Sequence, residues 1–400
     1  MLPVISVKDK PMKKRPGFTL PLFALLTLTA ALSFAPATTP VNGQRASASV
    51  YYPAPGDRWE RRAPNEVGMD AVKLEAAIEY AKTQNEPMTV AQVIAARQRQ
   101  ESHPEIIGPT KDRGETSGIV IRHGYIVAMY GDTNRSDMTF SATKSFLSAI
   151  AGLTYDRKMI KDVNDPIKNY VSDGGFDSPH NAKITWLNML QQTSEWEGWL
   201  WDKPSTIDEP KGHQQQEPGT FWNYNDVRVN RFSLALLRLW KKPLPQVLKD
   251  EIMDPIGASD TWIWNGYRNS EVEINGKKIN SVSGGGHWGG GLFISARDMA
   301  RFGYLYLRRG KWKNKQLISE KWIEMSTTPA TINEDYGYLW WLKKWPEAKA
   351  TTFAARGAGG NVIWMDPDHD LVVVLRWARR HDDIFKRIME AVTDAKVAGR

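Results

Sequence analysis

The sequence contains no cysteine among its 400 residues. A small scaffold held together by disulfides is therefore excluded, and a lipid attached to an N-terminal cysteine is disfavoured. The seven histidines are scattered along the chain and form no H-E-x-x-H pair. Because zinc sites are built mainly from cysteine and histidine, the sequence predicts no metal site.

The motifs of several large enzyme classes are also missing. There is no G-x-S-x-G, which disfavours a hydrolase with a nucleophile elbow. There is no G-x-x-x-x-G-K-[ST] and no strand-linked G-x-G-x-x-G, so the sequence predicts no cofactor held by a phosphate-binding loop. No internal repeat of roughly 20 to 50 residues is present, which argues against a repeat architecture.

Positive charge is concentrated at the front of the chain. The formal net charge is +8, and the first 37 residues carry five basic side chains and one acid, which leaves +4 for the remainder. A net charge of +4 on the rest of a chain of this size is only weak support for nucleic-acid or membrane binding. No basic helix and no basic–aromatic alternation is present, so we expect no nucleic-acid partner.

Residues 1–37 are typical of a signal peptide. A basic region (8–15) precedes an apolar run (18–34), and small residues follow as a cleavage site. We therefore expect an exported protein, periplasmic or secreted, with an uncleaved membrane anchor as the alternative. Residues 38–66 are rich in Pro, Ser, Ala and Arg, which predicts a flexible approach segment.

The body of the chain, residues 67–396, is predicted to be one domain of the α+β class. Two β-hairpins are predicted near its ends, at 117–132 and at 361–377, and helices dominate its middle from 142 to about 285. The simplest architecture is one antiparallel sheet built from the N- and C-terminal segments, flanked by helices, with an inserted helical lobe. The predicted helices are 69–84, 89–99, 142–156, 185–192, 230–241, 245–252, 295–310 and 382–396.

A candidate nucleophile lies in the stretch TFSATKSFLSAIAGL, where Ser141 precedes Lys144 by three positions. Residues three apart share a face of a helix, so the lysine amine can reach the serine hydroxyl. Serine needs such a neighbour to act as a nucleophile, and burial disfavours the charged form of lysine, which suits it as a base. The alternative is that Thr139 or Ser141 only caps the helix and Lys144 is solvated.

Two distant stretches offer partners for this serine. PGTFWNYND places Tyr224 before the polar pair Asn225-Asp226, and a phenol can relay protons to a leaving group. FAARGAGGN (353–361) is rich in glycine, and exposed backbone N–H groups there can hold an oxyanion. Taken alone, each stretch also fits a structural role, as a buried tyrosine or as a tight turn.

The order S-x-x-K, then Y-x-[ND], then a Gly-rich terminal strand resembles the serine β-lactamase and penicillin-binding-protein superfamily. The resemblance is to its class C-like branch, which includes esterases and 6-aminohexanoate-dimer hydrolases, and it covers about residues 60–395. It implies a β-lactamase-like fold, Ser141 as acylated nucleophile, Lys144 as its base and Tyr224 as acid and base. It also implies an oxyanion hole made by the amides of Ser141 and Ala358, with no metal required.

Two departures from the family pattern narrow the predicted activity. The third motif is usually Lys-Thr-Gly or His-Thr-Gly, whereas this chain has Ala355-Arg356-Gly357. Asp226 stands where asparagine is common. Both changes favour an esterase or amidase over a β-lactamase, because the cation that usually faces the substrate carboxylate is absent unless Arg356 replaces it.

Further residues are predicted to bind the substrate. His287 and Trp288 lie in a second Gly-rich segment (281–295), which lines the cleft or, equally, docks the helical lobe onto the sheet. Trp199 lies, with Trp196 and Trp201, in a loop that borders the substrate in the family, and we expect at least two of these three tryptophans to pack rather than to contact substrate. We predict substrate contacts for His287, Trp288 and Trp199, and for Asp226, Arg356 and Gly357.

The sequence as a whole predicts a serine hydrolase that cleaves an ester or amide bond in a small molecule or peptide. A D-Ala-D-Ala-type peptidase and a β-lactamase are the alternatives within this class. A catalytically weak ligand-binding protein of the same fold is an alternative outside it, and so is a tryptophan-rich carbohydrate binder. Oligomeric state does not follow from the sequence.

Overall fold

A computed structural model describes residues 50–85, 87–100, 102–342 and 351–393. The predicted signal peptide, residues 1–37, lies outside the described residues. Within the described ranges, no helix combines the length and the apolar character needed to cross a bilayer.

The helices follow the predicted order closely. They are α1 (Ala71–Lys82), α2 (Val90–Gln100), α3 (Thr143–Asp156), α4 (Trp186–Leu190), α5 (Asp226–Trp240), α6 (Leu244–Leu248), α7 (Ala296–Leu307), α8 (Glu320–Ser326) and α9 (His381–Glu390). Helix α1 begins where predicted, because the Asp70 carboxylate accepts hydrogen bonds from the amides of Val72 and Lys73. Helix α8 was not predicted.

The described residues form more strands than the four that the two predicted hairpins contain. They are β1 (Ser117–Arg122), β2 (Tyr125–Tyr130), β3 (Asp137–Met138), β4 (Trp199–Leu200), β5 (Lys203–Pro204), β6 (Ile263–Ile274), β7 (Lys277–Val282), β8 (Gly291–Ile294), β9 (Lys311–Trp312), β10 (Lys315–Gln316), β11 (Trp341–Leu342), β12 (Phe353–Gly357), β13 (Asn361–Asp366) and β14 (Leu371–Arg376).

The central sheet joins the two ends of the domain. Its order is β11-β12-β13-β14-β1-β2, and each neighbouring pair is antiparallel. The last strand, β14, pairs with the first, β1, so that Ile119 lies opposite Val374. This confirms the α+β class and the prediction of one antiparallel sheet built from N- and C-terminal segments.

The two faces of this sheet are covered by different helices. Alternate residues such as Val120 and Val373 pack with α1 and α9 in one apolar cluster. Their neighbours Ile119 and Val374 belong to the larger core, which also contains α3, α5 and α7. Because side chains alternate across a strand, the fully apolar runs in β1 and β14 serve both layers.

The predicted helical lobe (142–285) holds strands as well as helices. β6 and β7 form a long hairpin, and β3, β8, β6 and β7 make a second, four-stranded sheet. The hairpin turns at Asn275-Gly276, where both residues have positive φ, as a type I′ turn requires. The prediction of a helical lobe is therefore corrected, because this part of the chain also contributes strands. The Asn275-Gly276 pair was the local sequence signal for the β6–β7 hairpin.

The described part of the predicted flexible segment, residues 50–66, is tied to the domain. The Arg301 guanidinium donates to the carbonyls of Ala54 and Gly56, at 2.6 Å each. The Trp59 indole N–H donates to the Gly124 carbonyl at 2.7 Å and is buried. Low apolar content did not predict this anchoring, because it depends on a buried arginine nearly 250 residues away.

Candidate active site

Ser141 lies in a tight turn between β3 and α3. A 3₁₀ turn spans Phe140–Ala142, and α3 starts at Thr143 without a side-chain cap. The alternative that Thr139 or Ser141 caps this helix is therefore not what the structure shows. Phe140 has a φ of 48°, a left-handed conformation that is costly for an aromatic residue, and strained residues of this kind cluster at active sites. Ser141 itself remains partly exposed.

Lys144 is a buried residue that faces the serine. Its side chain is 1% exposed, and its Nζ lies 2.9 Å from Ser141 Oγ. The same nitrogen lies 2.7 Å from Asp226 Oδ1 and 4.5 Å from the centre of the Tyr224 ring. The solvated-lysine alternative is therefore excluded for this structure.

Asp226 is the first residue of α5, and its carboxylate is turned toward Lys144. The side chain of Asn225 caps α5 by accepting from the Arg228 amide at 2.9 Å, which fixes the helix start. His287 Nδ1 lies 3.4 Å from the second carboxylate oxygen of Asp226. Burial acts to raise the pKa of Asp226, but Lys144 and His287 together outweigh it and hold that pKa well below its usual range. The carboxylate thus supports the lysine, and a contact between Asp226 and substrate stays a prediction.

Gly285 explains why the second Gly-rich segment passes so close to this pair. A Cβ built on Gly285 would overlap with Asp226 Oδ1 and with Lys144 Nζ. Only glycine lets the backbone cover the ion pair at this position.

Tyr224 borders the same space from the turn before α5. Its ring stacks on Trp341 with centroids 5.5 Å apart, and Tyr336 contacts it edge-on at 6.1 Å. Burial raises the pKa of Tyr224 far above its usual value, and the Asp226 carboxylate raises it further, whereas a hydrogen bond with Ser141 opposes the rise. The phenol therefore holds its proton firmly in the free protein.

The Gly-rich terminal strand β12 runs against the turn that carries the serine. A Cβ on Gly357 would overlap with the Thr139 carbonyl oxygen, and it would also lie 3.0 Å from the Ala142 amide nitrogen. Ala358 follows directly in the β12–β13 turn. This approach brings the Ala358 backbone to the Ser141 turn. The oxyanion hole formed by the Ser141 and Ala358 amides stays a prediction.

The altered third motif places Arg356 beside His381 and near Trp341, and its charge is felt by Tyr224. Ala355 is fully buried within the large core, and its neighbour Arg356 lies on the opposite face of β12. The Arg356 guanidinium contacts His381 Nε2 at 2.6 Å, and it lies 5.9 Å from the centre of the Trp341 ring. A contact between Arg356 and substrate stays a prediction.

The other predicted binding residues differ in their access to solvent. Trp288 is fully buried and packs on Tyr267, which favours the docking alternative for its segment. His287 is partly exposed and contacts Asp226. Trp199 is 66% exposed and lies edge-on to His103, with ring centroids 5.6 Å apart. Of the three tryptophans in this loop, Trp196 is buried and Trp201 is partly buried.

Asp208 also lies next to Asp226, although no sequence motif marks it. Its Oδ2 accepts a hydrogen bond from the Asp226 amide at 3.0 Å. Burial raises the pKa of Asp208, and the neighbouring Asp226 carboxylate raises it further, against the opposing charges of His287 and Lys144. The loop that carries Asp208 has no regular structure, so no periodicity pointed to this aspartate.

A buried ion cluster holds this loop to α5. Arg228 donates to Glu195 Oε1 and to Glu209 Oε1, at 2.7 Å each, and His213 Nε2 lies 2.7 Å from Glu195 Oε2. Glu195, Glu209 and His213 are close enough to share a metal ion. However, Arg228 already binds both carboxylates, so an ion would have to compete with a guanidinium. That the activity requires no metal ion therefore stays a prediction.

Comparisons with known proteins agree with this fold. The profile of the Beta-lactamase family matches residues 138–394. An uncharacterised protein of Alkalihalophilus pseudofirmus is 22% identical over 266 residues, which are 58% of this chain and 71% of the relative. This chain therefore has the fold of the β-lactamase-like serine hydrolases, and its Ser141 and Lys144 side chains are in contact. It belongs to the Beta-lactamase family, which confirms the family predicted from the motifs.

Solved structures show the same fold at low sequence identity. A Bacillus anthracis protein, provisionally assigned as a 6-aminohexanoate-dimer hydrolase, has a TM-score of 0.51 at 14% identity, covering 85% of this chain and 98% of its own. A β-lactamase/D-alanine carboxypeptidase from Pseudomonas syringae has a TM-score of 0.51 at 12% identity, covering 75% and 98%. At such identities these likenesses concern the fold alone.

Proposed function

We propose that this protein is a serine hydrolase that cleaves an ester or amide bond through an acyl-enzyme on Ser141. The observation that carries the proposal is the 2.9 Å contact between Ser141 Oγ and the buried Lys144 Nζ. Proton transfer to a positioned base turns a weak hydroxyl nucleophile into an effective one. The neutral amine form of Lys144 would take the serine proton, Asp226 would stabilise the ammonium that forms, and Tyr224 would serve as acid and base toward the leaving group and the attacking water.

The surroundings of the serine support an esterase or amidase rather than a β-lactamase. Ala355 is a small buried residue where the family usually has a cation, and Arg356 contacts His381 instead. A β-lactam or a D-Ala-D-Ala peptide carries a carboxylate that this cation would hold. We therefore propose small esters or amides without that carboxylate as substrates. We also propose that the protein is exported, on the strength of residues 1–37.

Covalent labelling tests the proposal directly. Mass spectrometry after treatment with a fluorophosphonate should show one adduct, on Ser141. Ser141→Ala should lose the adduct, whereas Ser172→Ala, at an exposed serine, should keep it. If the well-folded protein forms no adduct, the proposed enzymatic activity is overturned. A ligand-binding protein of the same fold would then be the remaining hypothesis.

A substrate panel separates the candidate activities. We expect wild type to hydrolyse members of a p-nitrophenyl ester series or a linear amide dimer, and to act poorly on nitrocefin. Fast nitrocefin hydrolysis that disappears in Ser141→Ala would identify a β-lactamase instead.

A further inference from the structure

A second cleft is formed partly by the loop that carries Asp208. Its cavity volume of about 620 Å³ lies within the roughly 300–1,000 Å³ that is typical of small-molecule sites. Among the described residues, its lining includes none of the three proposed for the chemistry, Ser141, Lys144 and Tyr224. The cleft is therefore a candidate site of its own.

Trp199 provides the aromatic surface of this cleft. It is 66% exposed, and in the described part of the chain no other tryptophan, tyrosine or phenylalanine is classed as exposed. The His103 ring lies edge-on to it, with centroids 5.6 Å apart. Much of the indole thus stays in contact with water, and a ligand that covers it gains the free energy of burying an aromatic surface.

The backbone on both sides of Trp199 is held in place. Trp199 pairs with Pro204 across the β4–β5 hairpin. Between them in sequence, the buried Lys203 donates from Nζ to the His103 carbonyl at 2.7 Å, which ties the hairpin to the opposite wall of the cleft. A surface fixed in this way loses little conformational freedom when a ligand binds.

Glu197 and Thr206 supply polar groups to the same cleft. Asn181 fixes the Glu197 backbone, because it accepts from the Glu197 amide at 3.1 Å and donates to the Glu197 carbonyl at 2.9 Å. Glu197 Oε2 accepts from Gln215 at 3.0 Å. Within the described ranges, Glu197 Oε1 and Thr206 Oγ1 have no hydrogen-bond partner, and both side chains are exposed. These two oxygens are available to a ligand.

The chemistry of the lining favours a neutral sugar over other ligands. A sugar ring offers C–H groups to an aromatic face, and its hydroxyl groups can bond to carboxylate and hydroxyl oxygens. An anionic ligand is disfavoured, because the described lining contains Glu197 but neither lysine nor arginine. A quaternary ammonium ion is disfavoured too, since its cages use several aromatic rings, whereas a single indole lines this cleft.

We infer that this cleft is a saccharide-binding site. The Trp199 indole packs against the C–H face of a sugar ring, while Glu197 Oε1 and Thr206 Oγ1 bond to its hydroxyl groups. The inference goes beyond the proposed hydrolase function and does not depend on it. The sugar belongs either to a separate glycan that the protein binds or to the substrate itself.

Isothermal titration calorimetry with three neutral trisaccharides tests the inference: cellotriose, maltotriose and tri-N-acetylchitotriose. We expect wild type to bind at least one of them. Trp199→Ala should weaken that binding by about tenfold or more, because a few aromatic anchors carry most of the affinity of a binding site. Trp199→Phe should recover part of it. Ile263→Ala, at a 59% exposed apolar residue that lines a different cavity, is the matched control and should bind like wild type.

Three results would overturn the inference. The first is that wild type binds none of the trisaccharides, and the second is that Trp199→Ala binds them as tightly as wild type does. The third is binding of choline without binding of any trisaccharide, with loss of that binding in Glu197→Gln, which would identify a cation site instead. Because Trp199 is exposed, we expect its variants to fold, and circular dichroism checks this.

Kinetics distinguish the two sources of the sugar. If the bound trisaccharide leaves wild-type hydrolysis of p-nitrophenyl acetate unchanged, the cleft holds a separate glycan. If it inhibits competitively, the sugar occupies the place of the substrate. Both results support a saccharide site. Failure of the proposed hydrolase function is a distinct outcome, because Ser141→Ala should bind the trisaccharide like wild type whether or not Ser141 is a nucleophile.

Discussion

Lys144 Nζ and Asp226 Oδ1 lie 2.7 Å apart, although 82 positions separate these residues in the chain. The contact joins α3 to the start of α5, with both side chains almost fully buried. It places an anion directly behind the amine that contacts Ser141.

Asp226→Asn should destabilise the fold in a pH-dependent way. Removing one partner of a buried pair leaves the other uncompensated and costs about 3 kcal/mol. The pKa of Asp226 is lowered in the folded state, so its stabilising contribution is present above the unfolded pKa of about 3.9 and is lost as the pH falls through the folded value. Denaturant unfolding of both proteins should therefore show a constant difference at neutral pH that shrinks below about pH 4. A difference that grows on acidification would contradict the assignment of the charge.

Gly285→Ala should impair catalysis through the same pair. The added Cβ would overlap with Asp226 Oδ1 and Lys144 Nζ, so the lysine must move relative to Ser141. A displacement of about 1 Å can cost roughly a hundredfold in rate. We expect kcat/KM for a p-nitrophenyl ester to fall by about that factor. Gly276→Asn, in the hairpin turn where nothing lies within 4 Å, is the control and should leave the rate unchanged.

Arg228→Met should destabilise the domain far more than the loss of an exposed ion pair. Arg228 is 4% exposed and binds two glutamates, one of them fully buried, so its removal should cost about 3 kcal/mol or more. Lys183→Met breaks the exposed pair with Glu217 and should cost less than about 1 kcal/mol. Thermal unfolding of each variant and of wild type measures the two losses of stability. Equal costs would mean that the buried cluster does not hold the loop.

Trp199→Ala tests the predicted substrate contact without a large effect on the fold. The indole is 66% exposed, so the free energy of unfolding should change by less than about 0.5 kcal/mol. If Trp199 binds substrate equally in the ground and transition states, KM should rise several-fold while kcat stays unchanged. An unchanged KM would remove Trp199 from the substrate site. Trp288→Ala, which empties a fully buried position, should cost about 3–5 kcal/mol.

The layout of the fold could be predicted largely from local patterns. Apolar runs with turn residues at His123-Gly124 and Asp366–Asp370 predicted both sheet hairpins. The hairpin β6–β7 was missed because its strands are polar and unevenly buried, although Asn275-Gly276 marked its turn. Continuous apolar runs, which reflect burial on both faces of a strand, predict such strands well. Strands with mixed burial give a weak signal.

The sequence by itself determined the family, because the three motifs, their spacing and the periodic apolar residues can all be read from the order of the amino acids. It also determined that Ser141 and Lys144 lie on the same side of the chain, because residues three positions apart in a helix share a face. Only the tertiary structure decided that Asp226 faces Lys144 and adjoins Asp208, and that Arg356 turns toward His381. These relationships join residues from 18 to 82 positions apart. They depend on packing, charge pairing and loop anchoring, which no local pattern records.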